Sequence, residues 1–167
     1  KRKILSKLEA WKRDERHKPL ILRGARQVGK TTVVNEFGSQ FDNYLYFNLE
    51  MNESVRLFEM DIPLNDLVNM LFASLGKSQR EGSTLIFIDE IQNSPKTIAL
   101  LRYFYEQRPD LYVIAAGSLL ENLVDVNVSF PVGRVMYMAL RPCSFYEFLG
   151  AIGKTNLLAV LSQKPEY

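Results

Sequence analysis

The stretch LILRGARQVGKTTVVNEFG, residues 20–38, decides how the rest of the chain is read. It opens on apolar residues without alternation and passes through two glycines that bracket four other residues. It then runs into Lys30, Thr31 and Thr32. Val33, Val34 and Phe37 fall on one face of a helix, and Gly38 is expected to cap it. Strand, glycine loop and helix in that order match G-x-x-x-x-G-K-[ST] in full over residues 24–31. The chemistry asks for backbone N–H groups that wrap phosphate oxygens with no Cβ in the way, hence Gly24 and Gly29. A helix starting near Lys30 turns its positive end toward the same anion. The predicted nucleotide contacts are therefore Gly24, Ala25, Arg26, Gln27, Val28, Gly29, Lys30, Thr31 and Thr32. Lys30 is expected to reach the outer phosphates, and the Thr31 hydroxyl a Mg²⁺ ion.

The motif alone arises by chance in roughly one chain in two hundred of this size, and its flanking strand and helix make that rarer. A second Gly-Lys-Thr at residues 153–155 is a control. Its first glycine would have to stand at Phe148, and no buried strand precedes it. It reads as a helix break.

Working outward, Ile4, Leu5, Leu8 and Trp11 predict an amphipathic N-terminal helix. NYLYFNLE (43–50) predicts a second strand. Leu64, Leu67, Val68, Leu71, Phe72 and Leu75 form a helical face closed by Gly76. TLIFIDE (84–90) is apolar on both faces, as a strand covered from two sides should be. Ser94 and Pro95 predict the start of a helix that runs to Arg108. LYVIAAG (111–117) and RVMYMAL (134–140) are the fourth and fifth strands, and Ser144 with Glu147 makes a capping box for one more helix. Strands alternating with helices predict an α/β, three-layer fold, with about five parallel strands and helices on both faces of the sheet. The expected parts are an N-terminal helix (1–18), a P-loop core (19–142) and the start of a further helical segment (143–167). The sequence begins at Lys1 and stops at SQKPEY with a helix under way, so the N-terminal portion of a longer protein is expected.

In a parallel sheet, ligands gather beyond the carboxyl ends of the strands, where the glycine loop also lies. Asp89 and Glu90, just past a buried strand, gain meaning from that loop. Asp89 is expected to hold Mg²⁺ together with Thr31, and Glu90 to polarise a water for attack on the terminal phosphate. Strand alternation is expected to send the two carboxylates in different directions. Ser118 has two readings: a hydroxyl that senses the terminal phosphate, or the cap of a box formed with Glu121. Arg134, after a Pro/Gly loop, is either an arginine finger offered to a neighbouring subunit or a surface arginine. His17, the one histidine, reads as a solvated loop residue.

Composition narrows the class. The chain has 167 residues, 47% hydrophobic and 24% charged, enough for one packed domain and unlike a disordered tract. No uncharged run is longer than residues 111–120, which are too few to span a bilayer, and no apolar leader follows the basic N-terminus. No membrane partner is expected. The single Cys143 rules out an internal disulfide and fits a reducing compartment, so the cytoplasm is expected. A net charge of +2 gives no general argument for nucleic acid, although residues 1–30 hold eleven Lys or Arg against three acids.

PLILRGARQVGKTT, LIFIDEIQ, AAGSLLEN and SFPVGRVMYMALRPCSFYEFL together resemble the AAA-domain ATPases of bacteria and archaea. Full-length members of that family carry a C-terminal domain of unknown function, which has no counterpart here. The resemblance spans roughly residues 5–150, and its last segment is the more distinctive one. It implies a P-loop ATPase with ATP and Mg²⁺ as ligands, and a core whose acidic strand is not the sequence neighbour of the first. Lys30 and Thr31 match the phosphate and metal residues, Asp89 and Glu90 the acidic pair, and Ser118 the sensor position. Two alternatives stand beside this reading. One is a slow nucleotide-dependent switch that recruits a partner. The other is a helicase fragment, since Asp89 to Gln92 spell D-E-x-Q; only 58 residues lie between Lys30 and Asp89, short for that class. No guanine-reading Asn-Lys-x-Asp motif occurs.

Overall fold

The computed structural model describes residues 2–118, 131–154 and 156. Five strands, β1 (Leu20–Arg23), β2 (Asn43–Asn48), β3 (Thr84–Asp89), β4 (Leu111–Gly117) and β5 (Met136–Ala139), form one sheet in the order β2-β3-β4-β1-β5. Every pairing is parallel. The acidic strand β3 is not the sequence neighbour of β1, since β2 comes between them, as the resemblance implies; in the sheet β4 also separates the two.

Among the described residues the helices are α1 (Ile4–Arg13), α2 (Lys30–Gly38), α3 (Asn52–Phe58), α4 (Leu64–Ser74), α5 (Pro95–Gln107) and α6 (Phe145–Ala151). α1 and α2 supply the core on one face of the sheet: Ile4, Leu5, Leu8, Trp11, Val33, Val34 and Phe37 pack with Leu20, Leu22, Leu85 and Phe87. α3, α4 and α5 cover the other face, meeting Ile21, Ile86, Ile88 and Val113. All six residues of β3 are buried, which explains its unbroken apolar run.

Local signals and packing share the work. The N-cap residue of α1, Lys3, supplies no side-chain cap, and the first turn holds no acid. A ten-residue helix of that kind is marginal alone; burying its four apolar side chains supplies roughly 6–12 kcal/mol. α5 starts as its sequence predicts, with Ser94 Oγ accepting from Thr97 N and Pro95 in the first turn. α4 ends in a Schellman turn: Gly76 takes φ +61, its N–H donates to Ala73 O, and Lys77 N–H donates to Phe72 O. Gly153 closes α6 in the same way, with φ +73 and Lys154 N–H on Leu149 O. Gly153 and Lys154, which open the second Gly-Lys-Thr, thus close a helix.

Two expectations need correction. Gly38 is not a left-handed cap; it lies inside α2, and a Cβ there would stand 2.7 Å from the Tyr44 ring. Its constraint is a ring packed on the helix. His17 is not solvated: it is buried, stacked on Tyr112 with ring centroids 4.0 Å apart, and edge-on to Trp11. The short α3 and a 3-10 turn at Ile91–Asn93 have no counterpart in the sequence reading. Each buries a single residue, Phe58 and Ile91, so neither carries a periodic stripe.

Candidate active site

β1 delivers the chain to Gly24 beside the carboxyl end of β5. Leu140 N–H donates to Arg23 O at 2.7 Å, and a Cβ on Gly24 would sit 2.5 Å from Leu140 O. The first glycine of the motif is therefore demanded by the neighbouring strand as well as by any phosphate. Gln27 (φ 63) and Gly29 (φ 91) are both left-handed, and they curl the backbone into a concave loop. Gln27 thus makes the turn, whereas Arg26 is exposed to solvent. Gly29 precedes α2 and offers no side-chain cap, so first-turn N–H groups stay open to an anion. Thr32, in that first turn, is exposed.

Lys30 is buried at 6% exposure. Its Nζ folds back over the loop and donates to Gly24 O at 2.8 Å and Ala25 O at 2.9 Å. A buried ammonium held by two neutral carbonyls gains when an anion replaces them. Beside it, Thr31 Oγ1 donates to Asp89 Oδ2 at 2.6 Å. Asp89, the last residue of β3, is 3% exposed and receives Glu90 N–H at its other oxygen. Burial pushes the Asp89 carboxyl above its ordinary range, against the pull of the Thr31 and Glu90 hydrogen bonds. A desolvated carboxylate of this sort favours a nearby cation. Among the described residues no group of three or more His, Cys, Asp or Glu could cage a metal. A cation here would take Thr31 and Asp89 and fill its remaining positions with water or phosphate. That fits Mg²⁺ better than Zn²⁺ or Ca²⁺.

Glu90 departs from Asp89 for a different reason than strand alternation. The strand ends at Asp89, and Glu90 takes left-handed φ 53, ψ 45 at the mouth of the 3-10 turn. Its carboxylate Oε2 accepts from Gln92 Nε2, a partner the sequence reading missed although D-E-x-Q spelled it out. Ser118 follows β4, which is hydrogen-bonded to β1 and β3 on its two sides. Its Oγ is buried with no hydrogen-bond partner among the described residues. It lines a cavity of about 460 Å³ with Gly24, Ala25 and Arg23 at the carboxyl ends of β1, β4 and β5. Glu121, its alternative partner, lies outside the described residues.

The structure therefore brings together Lys30, Thr31, Asp89 and Glu90, with Ser118 at the adjoining strand end. It does not bring Arg134 to them. Arg134 precedes β5 at the amino end of the sheet, where Met136 N–H meets Pro19 O, and its Nε pairs with Glu106 at 2.6 Å. A second cavity, of about 600 Å³, lies away from the loop, among Gly38, Asp42, Tyr44, Lys77 and Arg80. It is larger than the cavity at the loop, but Lys30, Thr31, Asp89 and Glu90 do not line it.

A family model described as an AAA domain matches residues 16–149. No curated protein matches the chain. Among solved structures, the ORC1 protein of Aeropyrum pernix in complex with DNA is similar in fold, with a TM-score of 0.53 and 16% identity. The match covers 93% of this chain and 47% of that one. Drosophila ORC bound to DNA gives a TM-score of 0.55 and 16% identity, over 95% of this chain and 48% of the other. The chain thus spans about half the length of these structures. At that identity the likeness concerns the fold.

Proposed function

This chain belongs to the AAA-domain family, and on that premise we propose that it binds ATP and hydrolyses it to ADP and phosphate with Mg²⁺. The observation that carries the reading is the 2.6 Å hydrogen bond from Thr31 Oγ1 to Asp89 Oδ2. It joins the loop helix and the acidic strand at one point, where a metal and a phosphate chain would meet. Thr31 and Asp89 hold the Mg²⁺, which when bound offsets negative charge on the phosphate oxygens.

This chain's own residues do the rest. Lys30 trades its two loop carbonyls for phosphate oxygens, and the N–H groups of residues 25–32 surround the remaining charge. Glu90 accepts a proton from water as the water oxygen bonds to the terminal phosphorus. The bond to the bridging oxygen breaks, and its electron pair leaves with ADP. Ser118 Oγ donates to the terminal phosphate; burial of that oxygen without a partner among the described residues supports this role. Arg134 serves a neighbouring subunit, since in its own chain it stands at the other end of the sheet. Preference for adenine rests on family membership. No helix among the described residues is long and apolar enough to cross a membrane, and Cys143 is free and exposed, in keeping with the cytoplasm.

The experiment pairs two variants. Lys30→Ala should weaken ATP binding by about a hundredfold in calorimetry; unchanged affinity overturns the assignment. Glu90→Gln should keep that affinity and slow turnover by about 10²–10⁴-fold. Full turnover in that variant removes Glu90 from the reaction.

A further inference from the structure

Gln92 lies in the 3-10 turn, two residues past Glu90, and its amide touches the Glu90 carboxylate. A carboxylate only accepts, so the amide nitrogen must be the atom on Glu90 Oε2, and the orientation of the amide follows. The amide oxygen is then turned elsewhere, where it is buried with no hydrogen-bond partner among the described residues. An amide that served packing alone would satisfy both ends, because an unpaired buried carbonyl is costly. Here one end is given up while the other stays on the proposed base.

The surrounding turn is built to the same purpose. Asn93 N–H donates to Glu90 O and Ser94 N–H to Ile91 O, while Ile91 is fully buried in the core. Glu90 N–H is itself held by Asp89 Oδ1. The backbone of Glu90 is left-handed, a conformation non-glycine residues keep only where their surroundings impose it. The free rotations left to Glu90 are those of its side chain, and the Gln92 amide restrains them.

We infer that Gln92 is a positioning residue for hydrolysis: its amide nitrogen fixes the orientation of the Glu90 carboxylate toward the attacking water. The inference rests on the ATPase reading above. In the reaction Gln92 exchanges no proton and forms no bond. The water proton passes to Glu90, the water oxygen bonds to phosphorus, and the leaving oxygen departs with ADP carrying the electron pair. Loss of Gln92 should therefore act on rate and spare ground-state binding.

The test compares Gln92→Leu and Gln92→Glu in ATP turnover, with calorimetric affinities for ATP and for ADP–aluminium fluoride. Both variants remove the donor, and the second keeps the shape of the side chain. Expected is a fall in kcat of about 10–100-fold, an ATP affinity within about twofold of wild type, and a loss of ADP–aluminium fluoride affinity that follows kcat. In a Glu90→Gln background, Gln92→Leu should slow turnover no further, because the two side chains act as a unit. Should Gln92→Leu fail to fold, the decision falls to Gln92→Glu by the same measures. Unchanged or faster turnover, or a full additive loss in the double variant, overturns the inference. If instead Glu90→Gln turns over normally, it is the ATPase assignment of Glu90 that fails. Silent Gln92 variants beside a dead Glu90→Gln sink this inference alone.

Discussion

Glu147 Oε1 accepts the backbone N–H of Lys3 at 2.9 Å, across 144 positions of sequence. Its other oxygen accepts Ser144 N–H at 2.9 Å, completing the capping box of α6. One carboxylate therefore closes two helices from opposite ends of the chain. Arg2 braces the same junction, donating to Arg141 O at 2.6 Å and approaching Glu147 at 3.5 Å.

Glu147→Gln should cost about 1 kcal/mol in urea denaturation at neutral pH, since a charged acceptor becomes a neutral one. The Lys3 and Ser144 N–H groups hold the Glu147 carboxyl below its ordinary 4.5. A lowered pKa gives stability that is present above 4.5 and lost as pH falls through the folded value. The gap between wild type and variant should close in that acid range. A gap that persists at low pH would contradict the capping role.

Asp89→Asn should raise Tm at pH 7 while weakening Mg²⁺-dependent nucleotide binding. Burial raises the Asp89 pKa, so the folded chain holds this proton more tightly than the unfolded one. Its ionised form is then a standing penalty above the folded pKa, and that penalty fades as pH falls toward the ordinary 3.8. Thermal melts of the two proteins at pH 7 and pH 4 decide it. The expected gain is present at the first pH and smaller at the second.

Gly24→Ala should destabilise by about 1–3 kcal/mol, because its Cβ meets backbone at Leu140 O, 2.5 Å away, and neither strand can yield cheaply. Gly29→Ala meets nothing within 4 Å, and its cost comes from φ +91 alone, about 1 kcal/mol. Chemical denaturation that ranks Gly29→Ala as the more damaging would reverse the account of the loop.

Arg134→Ala should leave turnover within about twofold of wild type at protein concentrations where subunits are apart, and reduce it where they associate. The arginine pairs with Glu106 at 2.6 Å at the amino end of the sheet, remote from its own Lys30. Turnover measured alongside sedimentation across protein concentrations separates the cases. A loss independent of concentration would assign Arg134 to its own subunit.

Much of this molecule was legible in its sequence because the deciding signals are local. The apolar run, Gly29 and the stripe from Lys30 to Phe37 lie within one strand–loop–helix unit, and backbone sterics over a few residues suffice to specify it. The Ser94-Pro95 start of α5, the Ser144–Glu147 box and the Gly76 turn are likewise set within four residues or so. The all-parallel sheet with helices on both faces follows from that alternation. What only the tertiary structure decided is long in range. Tyr44 against Gly38, Leu140 against Gly24, Tyr112 against His17 and Glu106 against Arg134 are contacts between separate elements. Their partners are chosen by strand order and packing, and no short-range period records them. Gln92 marks the boundary between the two kinds. Its spacing from Glu90 stood in the sequence, but the left-handed turn that brings amide to carboxylate arises where β3 ends against the buried Ile91.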